Sequence, residues 1–264
     1  MFRFKQFTVR QDRTAMKVCT DACLLGAYAD VDTADVETGT PERADVETGT
    51  PERADVETGT RLLDIGTGTG LLALMAAQRN PTARIDAVEL DPDAAGQARD
   101  NVAASPFADR IQVFADAIQR FVPPADPKTV GGAYARILTN PPFYVQSLRS
   151  PDPAVNRALH ADDLPFTELI AAVVRLLQQN GQWWVLLPPY EMDRLTQLAA
   201  AAGLHPFRRL WIRHHAHKPV FRVITGFGFG QPALTDETLA IYEPDNRTYT
   251  ARFRALLEPF YLIF

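Results

Sequence analysis

The sequence predicts an α/β fold: a mostly parallel sheet with helices on both faces and one antiparallel strand supplied by a C-terminal hairpin. Three observations predict it. Short apolar strands alternate with helical segments from residue 61 onward, the pattern of successive βα units. The first strand, "RLLDIG", runs straight into a glycine-rich turn and then a helix. Two β-rich runs near the C-terminus, "FRRLWIRHH" and "PVFRVITGFGF", are separated by a short basic turn and should pair with each other.

After "RLLDIG" come a helix, "LLALMAAQRN", and a strand, "ARIDAVEL". Asp91 can cap the next helix, with Pro92 at its first position and "PDAAGQARDNVAAS" as its body. "RIQVFAD" is a strand, and so is "YARILTN". This last run stops on Asn140, Pro141 and Pro142, because proline lacks a backbone donor and cannot continue a central strand. Asn140 to Tyr144 therefore belong at the carboxyl edge, where open α/β sheets bind ligands. "PFTELIAAVVRLLQQNG" reads as a helix closed by glycine, "QWWVLLP" as a strand, and "EMDRLTQLAAAAG" as another glycine-ended helix.

With 264 residues and 46% hydrophobic content, the chain can bury one full core. No apolar run approaches the roughly 18 residues of a membrane span. The start, "MFRFKQFTVRQDR", alternates aromatic and basic residues where a signal peptide has an apolar block. A cytoplasmic protein without membrane contact is expected. Cys19 and Cys23 lie one helical turn apart in an apolar stretch and read as reduced core residues.

The net charge of −5 is unevenly distributed. Residues 34 to 60 give a decapeptide twice in full and once truncated, with eight acidic residues and two arginines, so the rest of the chain carries +1. Each unit has one aliphatic residue, Val36, Val46 or Val56, which is too little for a core. A solvated, disordered loop is expected, with an interaction element as the alternative. From Arg208 to Arg222 the run "RRLWIRHHAHKPVFR" has five basic residues, three histidines and no acid. Arg208, Arg209, Arg213, Lys218 and Arg222 could meet the phosphates of a nucleic acid, or could be the solvated face of strands whose other face is buried.

The chemistry concentrates at the strand ends. Asp64 precedes Gly66, Gly68 and Gly70, glycines that let backbone amides approach a ligand at a helix N-terminus. This spacing fails the dinucleotide fingerprint, which wants glycine at Leu71 as well. Together with Glu89, 19 residues beyond Gly70, it resembles instead the S-adenosylmethionine site of class I methyltransferases. That resemblance implies a Rossmann-like fold with a seven-stranded sheet. It implies Glu89 at the cofactor's ribose and Asp116 near its adenine, with Leu90, Ala117 and Asn140 also in the cofactor-binding set. "NPPF", Asn140 to Phe143, resembles the motif of methyltransferases acting on planar amino groups. There the Asn140 oxygen and the Pro141 carbonyl would accept the amine's hydrogens, Pro142 would stiffen the frame, and Phe143 would offer a stacking face.

The blocks "FKQFTVRQDRTAMKVCTDACLLGAYAD", "RLLDIGTGTGLLALMAAQRN", "IDAVELDPDAAGQARDNV", "NPPF" and "YTARFRALLEPFYLIF" cover nearly the whole chain outside the decapeptides. Together they are similar to the bacterial methyltransferases that modify adenine 37 of valine tRNA. The resemblance adds Lys17, Thr20 and Asp21 to the cofactor-binding set and implies a tRNA substrate, a monomer and no metal. Cys19 and Ala22 stand where that family's pattern has glycines. The expected division is an N-terminal extension at 1–33, the insert at 34–60 and a catalytic domain at 61–264. Two enzyme readings share Asn-Pro-Pro: a guanine N2-methyltransferase acting on rRNA and a glutamine N5-methyltransferase of the release-factor type. The latter normally carries a helical domain ahead of its catalytic domain, whereas 33 residues precede the insert here. A non-enzymatic nucleic-acid-binding relic would be expected to have lost Asp64, Glu89 or Asn140, and all three are present.

Overall fold

The structure is a computed structural model describing residues 1–31, 60–124, 132–141, 165–230 and 233–264. The decapeptide units up to residue 59, and Pro142 and Phe143 of the Asn-Pro-Pro-Phe motif, lie outside the described residues.

A small antiparallel pair, β1 (Phe2–Arg3) and β2 (Thr8–Val9), leads to α1 (Thr20–Tyr28). Then follow β3 (Arg61–Ile65), α2 (Leu71–Arg79), β4 (Arg84–Glu89), α3 (Pro92–Ala103), β5 (Ile111–Ala115) and β6 (Tyr134–Thr139). The second half holds α4 (Phe166–Leu176), β7 (Leu177–Leu187), α5 (Pro189–Ala201), β8 (Leu204–Arg213), β9 (Val220–Phe229), β10 (Thr235–Ala240) and α6 (Ala251–Leu257). The expected α/β architecture is present, and its strands form one sheet in the order β10-β8-β9-β7-β6-β3-β4-β5.

All neighbours in that sheet are parallel except β9, which runs antiparallel to β7 and β8. The antiparallel strand is thus the one the hairpin supplies. All seven strands read from the sequence are there, and β10 adds an eighth outside β8. Its sequence, Thr-Asp-Glu-Thr-Leu-Ala, lacks a regular apolar alternation because an edge strand is largely solvated. β7 also begins earlier than its sequence suggests: Leu177 to Gly181 extend the strand rather than ending the helix.

Helices cover both faces of the central strands, so these strands read as unbroken apolar runs. Leu62 packs into one core with α1, α2 and α6, and Leu63 and Ile65 pack into the other with α4 and α5. Trp184 and Trp183 divide between the same two cores. Asp91 caps α3, accepting a hydrogen bond from Asp93 N at 2.9 Å, with Pro92 in the first turn. Cys19 and Cys23 remain free thiols, and burial pushes both up to about 12. Cys19 sits in extended backbone (φ −129°, ψ 156°) and Ala22 inside α1, so neither position requires a glycine.

The chain runs outward from β3 through β4 to β5, then returns to place β6 on the other side of β3. The order reverses between β3 and β6, and Ile65 pairs with Thr139 there. Gly66 and Asn140 consequently leave the sheet side by side, at the crevice where such sheets take ligands.

Trp184 is fully buried, with its ring edge-on to Tyr28 at 5.8 Å and to Phe207 at 5.4 Å between centroids. Trp184→Ala should lower the unfolding free energy by about 3–5 kcal/mol, the usual cost of deleting a buried large aromatic. Urea denaturation would measure it, and a loss below about 1 kcal/mol would show that this core reforms without the ring.

Candidate active site

The turn after β3 is built by backbone hydrogen bonds from its own amides. Gly66 N and Thr67 N donate to Val88 O at 2.9 and 3.1 Å, and Gly68 N donates to Glu89 Oε2 at 2.8 Å. To follow that path, Gly66, Gly68 and Gly70 take φ of 69°, 55° and 83°. At Gly68 a side chain would meet no described atom within 4 Å, so conformation rather than space demands the glycine. Gly70 ends the turn and starts α2, whose Leu71 and Leu72 line the crevice.

Asp64 lies beneath this turn, fully buried. Its Oδ2 accepts from Thr67 Oγ1 at 2.5 Å and from Ala73 N at 3.2 Å, and its Oδ1 is buried with no partner among the described residues. Burial pushes its carboxyl up to about 7, against the opposing pull of those two hydrogen bonds. Glu89, at the end of β4, holds two backbone amides: Gly68 N on Oε2 and Asp91 N on Oε1 at 3.0 Å. Burial raises its pKa, and the amide bonds oppose the rise. Asp116, after β5, is the reverse case. Its hydrogen bond from Arg120 Nε (2.6 Å), followed by that from Ala117 N (2.8 Å), holds its carboxyl below the ordinary range.

Gly66, Gly68, Glu89 and Asp116 border a cavity of about 480 Å³, within the size range of small-molecule sites. Of the sequence-predicted cofactor residues, Lys17, Gly66, Gly68, Glu89, Leu90, Asp116, Ala117 and Asn140 line it. Asp64 and Gly70 support the turn from behind. Thr20 and Asp21 do not line the cavity: Thr20 opens α1, and Asp21 pairs with Arg222 (Nε to Oδ2, 2.8 Å). The sequence reading missed the wall formed by Thr14, Ala15, Met16 and Val18 beside Lys17. Lys17 is the one member of this wall that the family resemblance supplies; the other four carry no ligand-binding pattern, so only their position reveals them.

Asn140 emerges from β6 onto this cavity. Trp183 Nε1 donates to Thr139 Oγ1 at 3.1 Å, fixing the residue just before it. Pro141 is buried, and Asn140 Oδ1 is a buried acceptor without a partner among the described residues. A buried acceptor is costly unless another polar group satisfies it. The site's composition fits S-adenosylmethionine: Glu89 can accept further hydrogen bonds on its remaining lone pairs, Leu90 is an exposed apolar wall, and the carboxylates suit a cationic sulfonium.

The predicted RNA-binding residues are only partly free. Arg208 donates to Glu237 Oε1 at 2.8 Å and lies 4.7 Å over the Tyr28 ring, and Arg222 is held by Asp21. Arg209 lies over the Trp211 ring at 5.9 Å, Arg213 Nη1 donates to Ala216 O at 3.2 Å, and Lys218 is exposed.

Residues 51–190 match the methyltransferase small domain family. The chain is 46% identical over 266 residues to the tRNA1(Val) (adenine(37)-N6)-methyltransferase of Dyadobacter fermentans, covering 100% of this chain and 98% of that protein. It is 39% identical over 262 residues to the protein of the same name from Aeromonas hydrophila, covering 99% and 97%. Among solved structures, a predicted O-methyltransferase from Agrobacterium tumefaciens superposes with a TM-score of 0.59 at 17% identity, covering 90% of this chain and 96% of that one, which shows a shared fold.

The burial of Asp64 gives a pH prediction. Its folded value of about 7 lies above its ordinary 3.8, so its contribution to stability is greatest below the ordinary value and is lost as pH rises towards 7. Asp64→Asn removes this titration. The Tm of the variant minus that of the wild type should therefore increase between pH 4 and 7 and level off above about 7. Thermal melts across that range would check it, and a difference independent of pH would show that Asp64 does not titrate there.

Proposed function

The chain belongs to the tRNA1(Val) (adenine(37)-N6)-methyltransferase family, and from that membership and the geometry of its cavity we infer that it methylates the N6 amine of adenine 37 in tRNA1(Val), with S-adenosylmethionine as methyl donor. The observation that supports the reading is Asn140, which lines a cavity shared with the glycine turn and Glu89 and whose Oδ1 is a buried acceptor without a partner among the described residues.

When bound, S-adenosylmethionine supplies an electrophilic methyl carbon. The protein's residues have to hold it and present the amine. Glu89 is placed to accept from ribose hydroxyls while keeping Gly68 and Asp91 in position, and Asp116 and Ala117 border the adenine end. The adenine N6 is a poor nucleophile because its lone pair is delocalised into the ring. Asn140 Oδ1 and the Pro141 carbonyl each accept one amine hydrogen, which favours a pyramidal nitrogen with a localised lone pair. No base is needed before transfer. Pro142 and Phe143 complete the motif in sequence, with Phe143 as the stacking face for the extruded base.

The tRNA lies against the β8–β9 hairpin on this reading, with Arg209, Arg213 and Lys218 towards phosphate and Arg208 and Arg222 engaged in ion pairs within the protein. The extension at 1–33 walls the catalytic domain at 61–264, and the acidic decapeptides at 34–60 stay off the RNA because they carry its sign of charge. The enzyme acts as a cytoplasmic monomer, and the chemistry asks for no metal. No helix among the described residues is long and apolar enough to cross a membrane.

Incubation of the protein with bulk tRNA and labelled cofactor, followed by nucleoside analysis, should yield 6-methyladenosine from valine tRNA; label in N2-methylguanosine or in protein glutamine would refute the assignment. Asn140→Ala should lower transfer by about 10²-fold or more, the scale of losing a donor or acceptor that acts in the transition state, while leaving cofactor affinity nearly unchanged. Calorimetry alongside the rate assay separates the two, and a parallel collapse of both would remove Asn140 from the amine. The double variant Arg213→Ala with Lys218→Ala should raise the tRNA KM and make log K against log salt shallower by roughly 0.7–0.9 per lost phosphate contact. Equal slopes would move the RNA to another face.

A further inference from the structure

We propose that Gln97 and Asn101 are positioning residues, a pair of buried amides on α3 that clasp residues 10–13 to the glycine turn and so make Thr14–Val18 a fixed wall of the cofactor cavity. The proposal rests on reading that cavity as the S-adenosylmethionine site.

Both side chains are 1% exposed, which for an amide is costly unless its polar atoms are satisfied. Asn101 meets the peptide groups of one residue on both sides: its Oδ1 accepts from Arg10 N at 2.9 Å, and its Nδ2 donates to Arg10 O at 2.8 Å. The second Nδ2 hydrogen goes to Thr69 O at 2.9 Å, inside the glycine turn. A single side chain therefore bonds the N-terminal segment and the cofactor turn at once. One helical turn earlier, Gln97 Oε1 accepts from Asp12 N and Arg13 N, each at 3.2 Å. Residues 97 and 101 share a helix face, so the clasp grips Arg10 to Arg13 along its length.

The cavity wall takes its position from that grip. Gln11 Oε1 accepts from Val18 N at 2.8 Å, Lys17 Nζ donates to Thr14 O at 2.8 Å, and Thr14 Oγ1 donates to Met16 O at 3.0 Å. Residues 14–18 are thus folded back on Gln11 and Thr14, which flank the Asp12 and Arg13 amides that Gln97 holds. Asn101 thus bonds both the turn and the segment that runs on into the wall. Misplacement of a positioning group by about 1 Å can cost about 10²-fold in rate, and a displaced wall also loses contacts with the cofactor, so the clasp should set cofactor affinity as well as stability.

The two amides do different work, which makes the proposal testable by changing one atom. Gln97 uses its oxygen as acceptor, and a carboxylate keeps that function. Asn101 uses both amide hydrogens, and a carboxylate would face two carbonyl oxygens instead. Asn101→Asp should weaken S-adenosylmethionine binding by about tenfold or more and speed exchange of the Arg10 amide, whereas Gln97→Glu should stay within about threefold of wild type. Binding of tRNA should stay within about twofold in both, because neither residue lies on the hairpin.

Calorimetry with S-adenosylmethionine, amide exchange at Arg10, Asp12 and Arg13, and filter binding of tRNA to the full chain read these effects. Asn101→Asp with wild-type cofactor affinity despite faster exchange, or Gln97→Glu as impaired as Asn101→Asp, would overturn the proposal. If Asn101→Asp does not fold, Gln97→Met removes the acceptor at nearly constant length: weakened cofactor binding with faster exchange at Asp12 and Arg13 supports the clasp, and unchanged affinity refutes it. A folded wild-type chain that binds no S-adenosylmethionine would defeat the cofactor reading itself, a failure distinct from any of these.

Discussion

The site depends on one backbone path, the turn from Ile65 to Leu71. Three residues of that turn adopt positive φ, which costs an L-residue roughly 1–2 kcal/mol each but is open to glycine. The turn then brings amides onto Val88 O and the Glu89 carboxylate, starts α2 at the crevice, and leaves its underside to Asp64. Glu89 is at once a structural acceptor for the turn and a lining residue of the cavity. Its substitution would therefore disturb the shape of the site together with its ligand contacts.

The carboxylates around the cavity occupy graded surroundings. Asp64 is sealed in the core, Glu89 is largely buried at the rim, and Asp116 stands partly exposed beside Arg120. Burial dominates the first two and raises their pKa values, while hydrogen bonding dominates the third and lowers it. The negative potential of Glu89 also raises Asp64.

The N-terminal segment and the hairpin meet at Asp21 and Arg222, a pair with side chains 13% and 20% exposed. An ion pair this sheltered is screened less than a surface one, and breaking it leaves a charge poorly solvated. It joins α1, whose preceding residues wall the cavity, to the strand that leads away from the basic turn. His214 stacks on Phe221 at 4.1 Å beside it, and Arg222 lies 5.6 Å from the same ring. The basic run is therefore both a surface facing outward and a fastening between two parts of the fold.

The sequence by itself determined the βα alternation, the hairpin with its antiparallel strand, the Asp91 cap, and the identity of Asp64, Glu89, Asp116 and Asn140 at strand ends. These follow from local physics: apolar periodicity, the missing donor of proline, and glycine where φ must be positive. It could not reveal β10, whose edge position needs little apolar character, nor Thr14, Ala15, Met16 and Val18 in the wall beside Lys17, which carry no ligand pattern. Asp21 and Arg222 show the limit most plainly. The family resemblance offers Asp21 to a cofactor and the basic run offers Arg222 to RNA, whereas the fold pairs the two across 201 positions. Gln97 and Asn101 likewise read as ordinary helix residues until the N-terminal segment is laid against α3. Partners so distant in sequence are chosen by how the chain packs, and only the tertiary structure decides which polar groups must satisfy one another once water is excluded.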